Sequence, residues 1–269
     1  MPFLQRGSIR LHYQVTGHGA PLVLIGGLGM PLQGWAMQAK GLAQSLQLIR
    51  LDNRGCGDST IPDQPFTIED MAKDILALFD HLELDTAHVL GLSMGGFIAL
   101  EMAVLAPQRV KSLVLAHTTA KIPPLTRRRI RLWADMRQEA VSSALLAMEQ
   151  LLWIFPEEIL QNDHTVAMLC RNMIQAIEAQ SGVGFRAQVE ACETFDILDR
   201  LAEITAPTLI IAAEDDLSAP LTHTSKLERL PQVLKKTIFP SGGHASHLIR
   251  AEEFNREVLA FINSIELRK

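Results

Sequence analysis

The chain has 269 residues, of which 48% are hydrophobic and 20% charged, a mix that suits one α/β domain with an insertion, or at most two small domains. Its net charge of −5 gives no overall pull toward nucleic acid or an anionic membrane surface. Three scattered cysteines (Cys56, Cys170, Cys192) form neither a disulfide framework nor a metal site, the N-terminus lacks a signal-peptide core, and no stretch nears the roughly 20 apolar residues of a membrane span, so a reduced, cytoplasmic setting is the expectation.

Taken in order, the elements alternate. Ile9, Leu11, Tyr13 and Val15 fall on one side of a half-exposed early strand. After the turn Gly17-His18-Gly19, the run Leu22–Ile25 is apolar without alternation, as in a strand covered on both faces. Leu46–Leu51, Ala87–Leu90, Val110–Ala116 and Thr208–Ala213 repeat that pattern. Between them lie helical segments. Thr67 with Asp70 reads as a helix cap, followed by Ile68, Met71, Ile75, Leu78 and Leu82 on one face. Another helix follows Ser93, and the last carries Phe254, Val258, Phe261, Ile262 and Ile265. Such alternation predicts an α/β fold: a mostly parallel sheet with helices on both faces. The pattern breaks between residues 119 and 200, which read as a helical cap inserted into a core of residues 1–118 and 201–269.

The strongest chemical signal is Gly91-Leu92-Ser93-Met94-Gly95-Gly96, where a strand runs into Gly-x-Ser-x-Gly and then a helix. So sharp a turn exposes the hydroxyl and tolerates only small neighbours, while the helix N-terminus favours a developing oxyanion. A serine hydroxyl needs a base. Of nine histidines, His244 in Ser241-Gly242-Gly243-His244 occupies a Gly-rich loop after the last strand, where open α/β sheets place functional groups. It is favoured over His247, which reads as capping or packing. His12, His18, His81 and His88 read as surface or turn residues, whereas His117 ends a central strand and is a candidate pocket residue. An acid must orient the base. Asp216, four residues before Pro220, is favoured over Asp215, which is assigned a supporting hydrogen bond. The loop Gly26-Gly27-Leu28-Gly29-Met30 follows an early strand, and the backbone N–H groups of Leu28 and Met94 are the candidate oxyanion donors.

With these motifs and the turn Asp52-Asn53-Arg54-Gly55-Cys56-Gly57-Asp58-Ser59, the chain resembles the α/β-hydrolase superfamily, in its cap-bearing ester hydrolase branch, over residues 9–118 and 201–266. The resemblance implies an α/β-hydrolase fold, acyl-enzyme chemistry without cofactor or metal, and a structural rather than catalytic role for Arg54. Two positions depart from the family pattern: Gly26 stands where His is usual, and Ala213 where Gly is usual.

The cap is expected to select the substrate. Trp133 and Trp153, together with Trp35 and His117, are candidate substrate contacts. Arg127, Arg128, Arg129, Arg131 and Arg137 form a basic cluster that reads either as a solvated helix face or as a dock for an acidic partner. The resemblance extends to the methyl ester esterases of biotin synthesis, which implies a pimeloyl-acyl-carrier-protein ester as one substrate and Arg127, Arg128 and Arg131 as the carrier dock. Enol-lactonases, carbon–carbon bond hydrolases and cofactor-free haloperoxidases share the same motifs and stay open, as does a small-molecule receptor on the same fold. A monomer or homodimer acting on a small-molecule ester is the expectation.

Overall fold

The computed structural model describes residues 2–268. Among the described residues, eight strands form one sheet in the order β1-β2-β4-β3-β5-β6-β7-β8. They are β1 (Phe3–Arg6), β2 (Ile9–Thr16), β3 (Ala20–Ile25), β4 (Leu46–Leu51), β5 (Ala87–Leu92), β6 (Val110–Ala116), β7 (Thr208–Ala213) and β8 (Val233–Phe239). β1 and β2 pair antiparallel with their neighbours, and every pair from β4 to β8 is parallel. The strand order reverses direction beside β3 and β5, so their C-terminal ends border the crevice where such sheets place their chemistry.

Helix α1 (Ala36–Leu42) follows β3, α2 (Ile68–His81) follows β4 and α3 (Met94–Leu105) follows β5. Between β6 and β7 the chain forms α4 (Pro124–Gln138), α5 (Ser143–Ile154), α6 (Glu157–Leu160), α7 (Asp163–Ala179) and α8 (Gly182–Glu193). Then α9 (Leu221–Thr224) follows β7, and α10 (Ser246–Ile249) and α11 (Ala251–Glu266) follow β8. The cap at Thr67 forms reciprocally: its hydroxyl accepts from the Asp70 N–H at 3.1 Å, and the Asp70 carboxylate accepts from the Thr67 N–H at 3.0 Å.

Period-two alternation assigns the central strands to two cores. Val23, Ile25, Val89, Leu113 and Leu115 pack on one face against α2, α3 and part of the inserted helices. Leu22, Leu24, Leu90, Val114 and Ile211 pack on the other against α1 and α11. Because both faces are covered, β5 and β7 are buried at every residue.

Two of the histidines expected at the surface are buried instead. His12 on β2 and His88 on β5 are fully enclosed. A buried imidazole needs partners. His12 Nδ1 meets the Asp52 carboxylate at 2.7 Å, and His88 meets Ser112 and Glu266 at 2.7 and 2.9 Å.

Candidate active site

Ser93 sits between β5 and α3 with φ 54° and ψ −117°, a conformation costly for a residue with a side chain. Glycines make the turn possible. A β-carbon on Gly91 would strike the Gly95 carbonyl, and one on Gly95 would strike the carbonyl of Ile25. The strained turn leaves Ser93 half-buried at the mouth of a pocket of about 40 Å³, lined also by Leu28, Met94, Phe97, His117 and Ile130. Among the described residues Ser93 Oγ makes no hydrogen bond, to His244 or to any other group, and His244 does not line the pocket.

Met94 opens α3, and the first N–H groups of a helix lack partners within it. The Leu28 N–H also makes no hydrogen bond among the described residues, and both residues border the pocket. The Leu28 turn is held from three sides. Asn53 Nδ2 donates to the Gly26 carbonyl at 3.0 Å, the Leu32 N–H donates to Asp52 at 2.7 Å, and the Gly29 N–H donates to Gln188 Oε1 of α8 at 2.9 Å. Gln188 Nε2 in turn donates to the Arg54 carbonyl at 2.8 Å. Arg54 itself forms a buried two-pronged pair with Asp74 on α2, at 2.6 and 2.7 Å. That geometry is structural and puts its guanidinium to use away from the Ser93 pocket.

Asp216 follows β7 and is buried. Its carboxylate accepts from the Ser218 and Ala219 N–H groups at 2.8 and 2.9 Å. His244 Nδ1 lies 3.0 and 3.1 Å from its two oxygens. Burial pushes the Asp216 carboxyl upward, but the charge of His244 and the hydrogen bonds of His117 and His244 outweigh it and hold the group well below the ordinary carboxylate range. Asp216 is therefore an anion able to orient and charge-balance an imidazole. Asp215 faces elsewhere, accepting from the Gly242 and Gly243 N–H groups at 3.2 and 2.8 Å and so fixing the loop that presents His244. The His244 side chain keeps 14% of its surface exposed, while its acid partner is fully enclosed.

A second histidine shares the acid, and the sequence does not reveal it. His117 Nδ1 meets Asp216 Oδ2 at 2.9 Å, and its Nε2 meets Ser246 Oγ at 2.6 Å. The two imidazoles stand 5.8 Å apart, edge to face. His117 was expected to touch substrate. It does line the pocket, but both ring nitrogens are committed to Asp216 and Ser246. The ligand-type atoms of His117, Asp216 and His244 lie within 4.8 Å of one another, as a metal would require. Each nitrogen facing Asp216 must carry a proton to make its bond, so the trio works as a hydrogen-bond network. His247 is a bystander: burial, reinforced by His117 and His244, pushes its pKa down to about 3, so it stays neutral.

Trp35 does not reach the pocket. It is fully buried in the core on the far face of the sheet, edge-on to His247, because that face needs a large apolar side chain beneath β3. Trp153 also lines no part of the Ser93 pocket; its ring lies 4.4 Å under the Arg129 guanidinium. Trp133 borders a second cavity of about 130 Å³, which shares Leu28 with the first. The basic cluster disperses. Arg129 pairs with Glu149 and Arg131 with Glu193, Arg137 turns inward, and only Arg127 and Arg128 project into solvent.

A family model for the alpha/beta hydrolase fold matches residues 20–251. A protein of Azorhizobium caulinodans with the provisional name carbamate hydrolase RutD is 30% identical over 268 residues, covering 99% of this chain and 100% of its own. Among solved structures, a hydrolase from Pseudomonas aeruginosa PA01 superposes with a TM-score of 0.87 at 29% identity, over 97% of each chain. The enol-lactonase from Burkholderia xenovorans superposes with a TM-score of 0.83 at 26% identity, over 97% of this chain and 100% of that one. Among the described residues no helix is long and apolar enough to cross a membrane. With the strand order, the strained serine turn and a family match over most of its length, this chain belongs to the alpha/beta hydrolase fold family.

Proposed function

We propose that the protein is a serine hydrolase that cleaves a carboxylic ester, or a closely related acyl bond, through an acyl-enzyme. The observation that carries this reading is the buried, ionised Asp216 bound to His244 Nδ1, which leaves Nε2 of that ring uncommitted to the acid and so the candidate base for Ser93. In the first half-reaction Ser93 Oγ adds to the carbonyl carbon as His244 takes its proton. The negative charge that forms on the carbonyl oxygen meets the Leu28 and Met94 N–H groups and the α3 dipole. Collapse expels the alcohol, which takes the proton from His244. Water then adds to the acyl-enzyme with His244 again as base, and the acid leaves as Ser93 recovers its proton.

The 40 Å³ pocket favours a small acyl group. Carbamate cleavage is the second reading, favoured by the name carried by relatives such as that of Azorhizobium caulinodans. Attack on a carbamate carbonyl uses the same three side chains. Enol-lactone opening follows the same steps with the leaving oxygen tethered.

The test is multiple-turnover hydrolysis of p-nitrophenyl esters from acetate to laurate, beside p-nitrophenyl carbamates, by wild type and Ser93→Ala. Loss of at least about 1,000-fold in kcat for the variant is expected. Short esters should lead the series. Faster carbamate turnover would select the second reading. Folded wild type that binds but never turns over would leave a receptor. Carrier docking would rest on Arg127 and Arg128; unchanged turnover of a carrier-bound ester in the Arg127→Ala, Arg128→Ala, Arg131→Ala triple variant would end it.

A further inference from the structure

Arg137 sits in the last turn of α4 and points into the 130 Å³ cavity, beside Gln150, Gln180, Phe185 and Leu28. Its neighbours on the helix that turn inward meet carboxylates: Arg129 meets Glu149 and Arg131 meets Glu193. Arg137 forms no ion pair among the described residues. Its two bonds are long, 3.3 Å to the Ile177 carbonyl and 3.2 Å to Gln180 Oε1, and they go to neutral acceptors. Its Nε is buried without a partner, and so is Gln180 Nε2 beside it. The guanidinium stacks 4.3 Å over Phe185, which positions it without neutralising it. Burial lowers its pKa to about 10, so the cation persists at neutral pH. The nearby Cys56 thiol is pushed up to about 12, first by burial, and supplies no counter-charge.

A guanidinium partly withdrawn from water without an anion is costly, and its own buried, unpartnered Nε and the Gln180 Nε2 next to it add to that cost. A carboxylate would answer all of these groups together, since it accepts the paired donors of a guanidinium and an amide N–H. The cavity has room for about four water-sized groups, enough for a carboxylate and a short spacer. Leu28 forms a wall of both this cavity and the Ser93 pocket, so a molecule seated at Arg137 lies against the same turn whose other side borders the serine. On its outer side Arg137 also borders a cleft of about 600 Å³ between residues 62–65 and helices α4 and α8, lined by Arg186 together with Asp63 and Glu190.

We infer that Arg137, with Gln180, is a carboxylate-binding site, and that the substrate is an anionic acyl compound carrying a second, free carboxylate on its acyl part. The inference rests on Ser93 as nucleophile for the orientation of that substrate, but the anion site itself does not.

Two measurements test it together. In the first, succinate and glutarate are titrated against wild type, Ser93→Ala and Arg137→Gln while thermal unfolding is followed. Both dicarboxylates should raise the melting temperature of wild type and Ser93→Ala and leave Arg137→Gln unmoved. In the second, kcat/KM is measured for mono-p-nitrophenyl succinate and for its neutral counterpart, p-nitrophenyl butyrate. The anionic-to-neutral ratio should fall at least about 30-fold in Arg137→Gln, and Arg137→Lys should recover part of it. Equal stabilisation of all three proteins by dicarboxylate, or an unchanged ratio, overturns the inference and leaves Arg137 as a packing residue over Phe185. Turnover that survives in Ser93→Ala while the ratio still depends on Arg137 would end the serine reading and leave the anion site standing.

Discussion

Replacing His117 should cost more than a pocket residue normally does. The ring makes two buried hydrogen bonds, one to the Asp216 carboxylate at 2.9 Å and one to the Ser246 hydroxyl at 2.6 Å. A bond to a charged group contributes about 1.5–3 kcal/mol, and a neutral one about 1 kcal/mol. His117→Ala should therefore destabilise by about 2.5–4 kcal/mol, a melting-temperature loss of about 5–16 °C for a chain of this size. Asn is the informative comparison. Its amide reaches where Nδ1 stands and keeps the donor to Asp216. It also tolerates the left-handed backbone at this position, where φ is 49°. His117→Asn should retain all but about 1 kcal/mol, the bond to Ser246. Urea denaturation at pH 7 reads the stability, and p-nitrophenyl acetate hydrolysis reads the site. Because both ring nitrogens of His117 are committed to Asp216 and Ser246, the alanine variant should lower kcat and leave KM nearly unchanged. If the Ala and Asn variants unfold at the same urea concentration, the bond to Asp216 contributes nothing and the reasoning fails.

Three further outcomes follow from the same geometry. Arg54→Met leaves the buried Asp74 with the more exposed Arg6, 2.9 Å away, as its remaining cation and should destabilise by about 2–3 kcal/mol, seen by denaturation; a loss below about 1 kcal/mol would contradict the pairing. Gln188→Ala removes the acceptor of the Gly29 N–H and should lower kcat about tenfold more than KM changes, in the ester assay, by loosening the Leu28 turn. His247 has a folded pKa near 3, below the roughly 6.5 of an exposed imidazole, so the unfolded chain takes the proton first. Its stabilising effect is complete above about pH 6.5 and drains as pH falls toward 3, at up to about 1.4 kcal/mol per pH unit. His247→Asn should flatten the stability–pH curve across that window, and parallel curves would refute the assignment.

The sequence was most legible where one local rule decides the outcome. The apolar runs of β3, β5, β6 and β7 announce strands covered on both faces, and Thr67 with Asp70 announces the start of α2. The edges were illegible for the same reason. β1 has only four residues, and β8 carries Lys235 and Lys236 on an exposed edge, so neither shows the apolar period of an inner strand. Gly91 to Gly96 points to its serine because the turn's crowding is a local demand. The link from His117 to Asp216 spans 99 residues and exists only once β6 and β7 lie side by side. Trp35 misled because an aromatic residue after the Leu28 turn has no mark to say which face of the sheet it will fill. Arg137 blends into a run of arginines, and only the packing of α4 against α7 and α8 turns it inward while Arg127 and Arg128 stay in water.

The side chain of Gln188 belongs to the inserted helices, yet both its hydrogen bonds end on the sheet side of the molecule, at Gly29 and at Arg54. The turn bearing the Leu28 N–H and the loop bearing Arg54 are therefore tied to the inserted helices through one amide, so the placement of α8 and the placement of that N–H are set together. A change in the inserted helices that never touches Ser93 can in this way be felt at the strand end beside it.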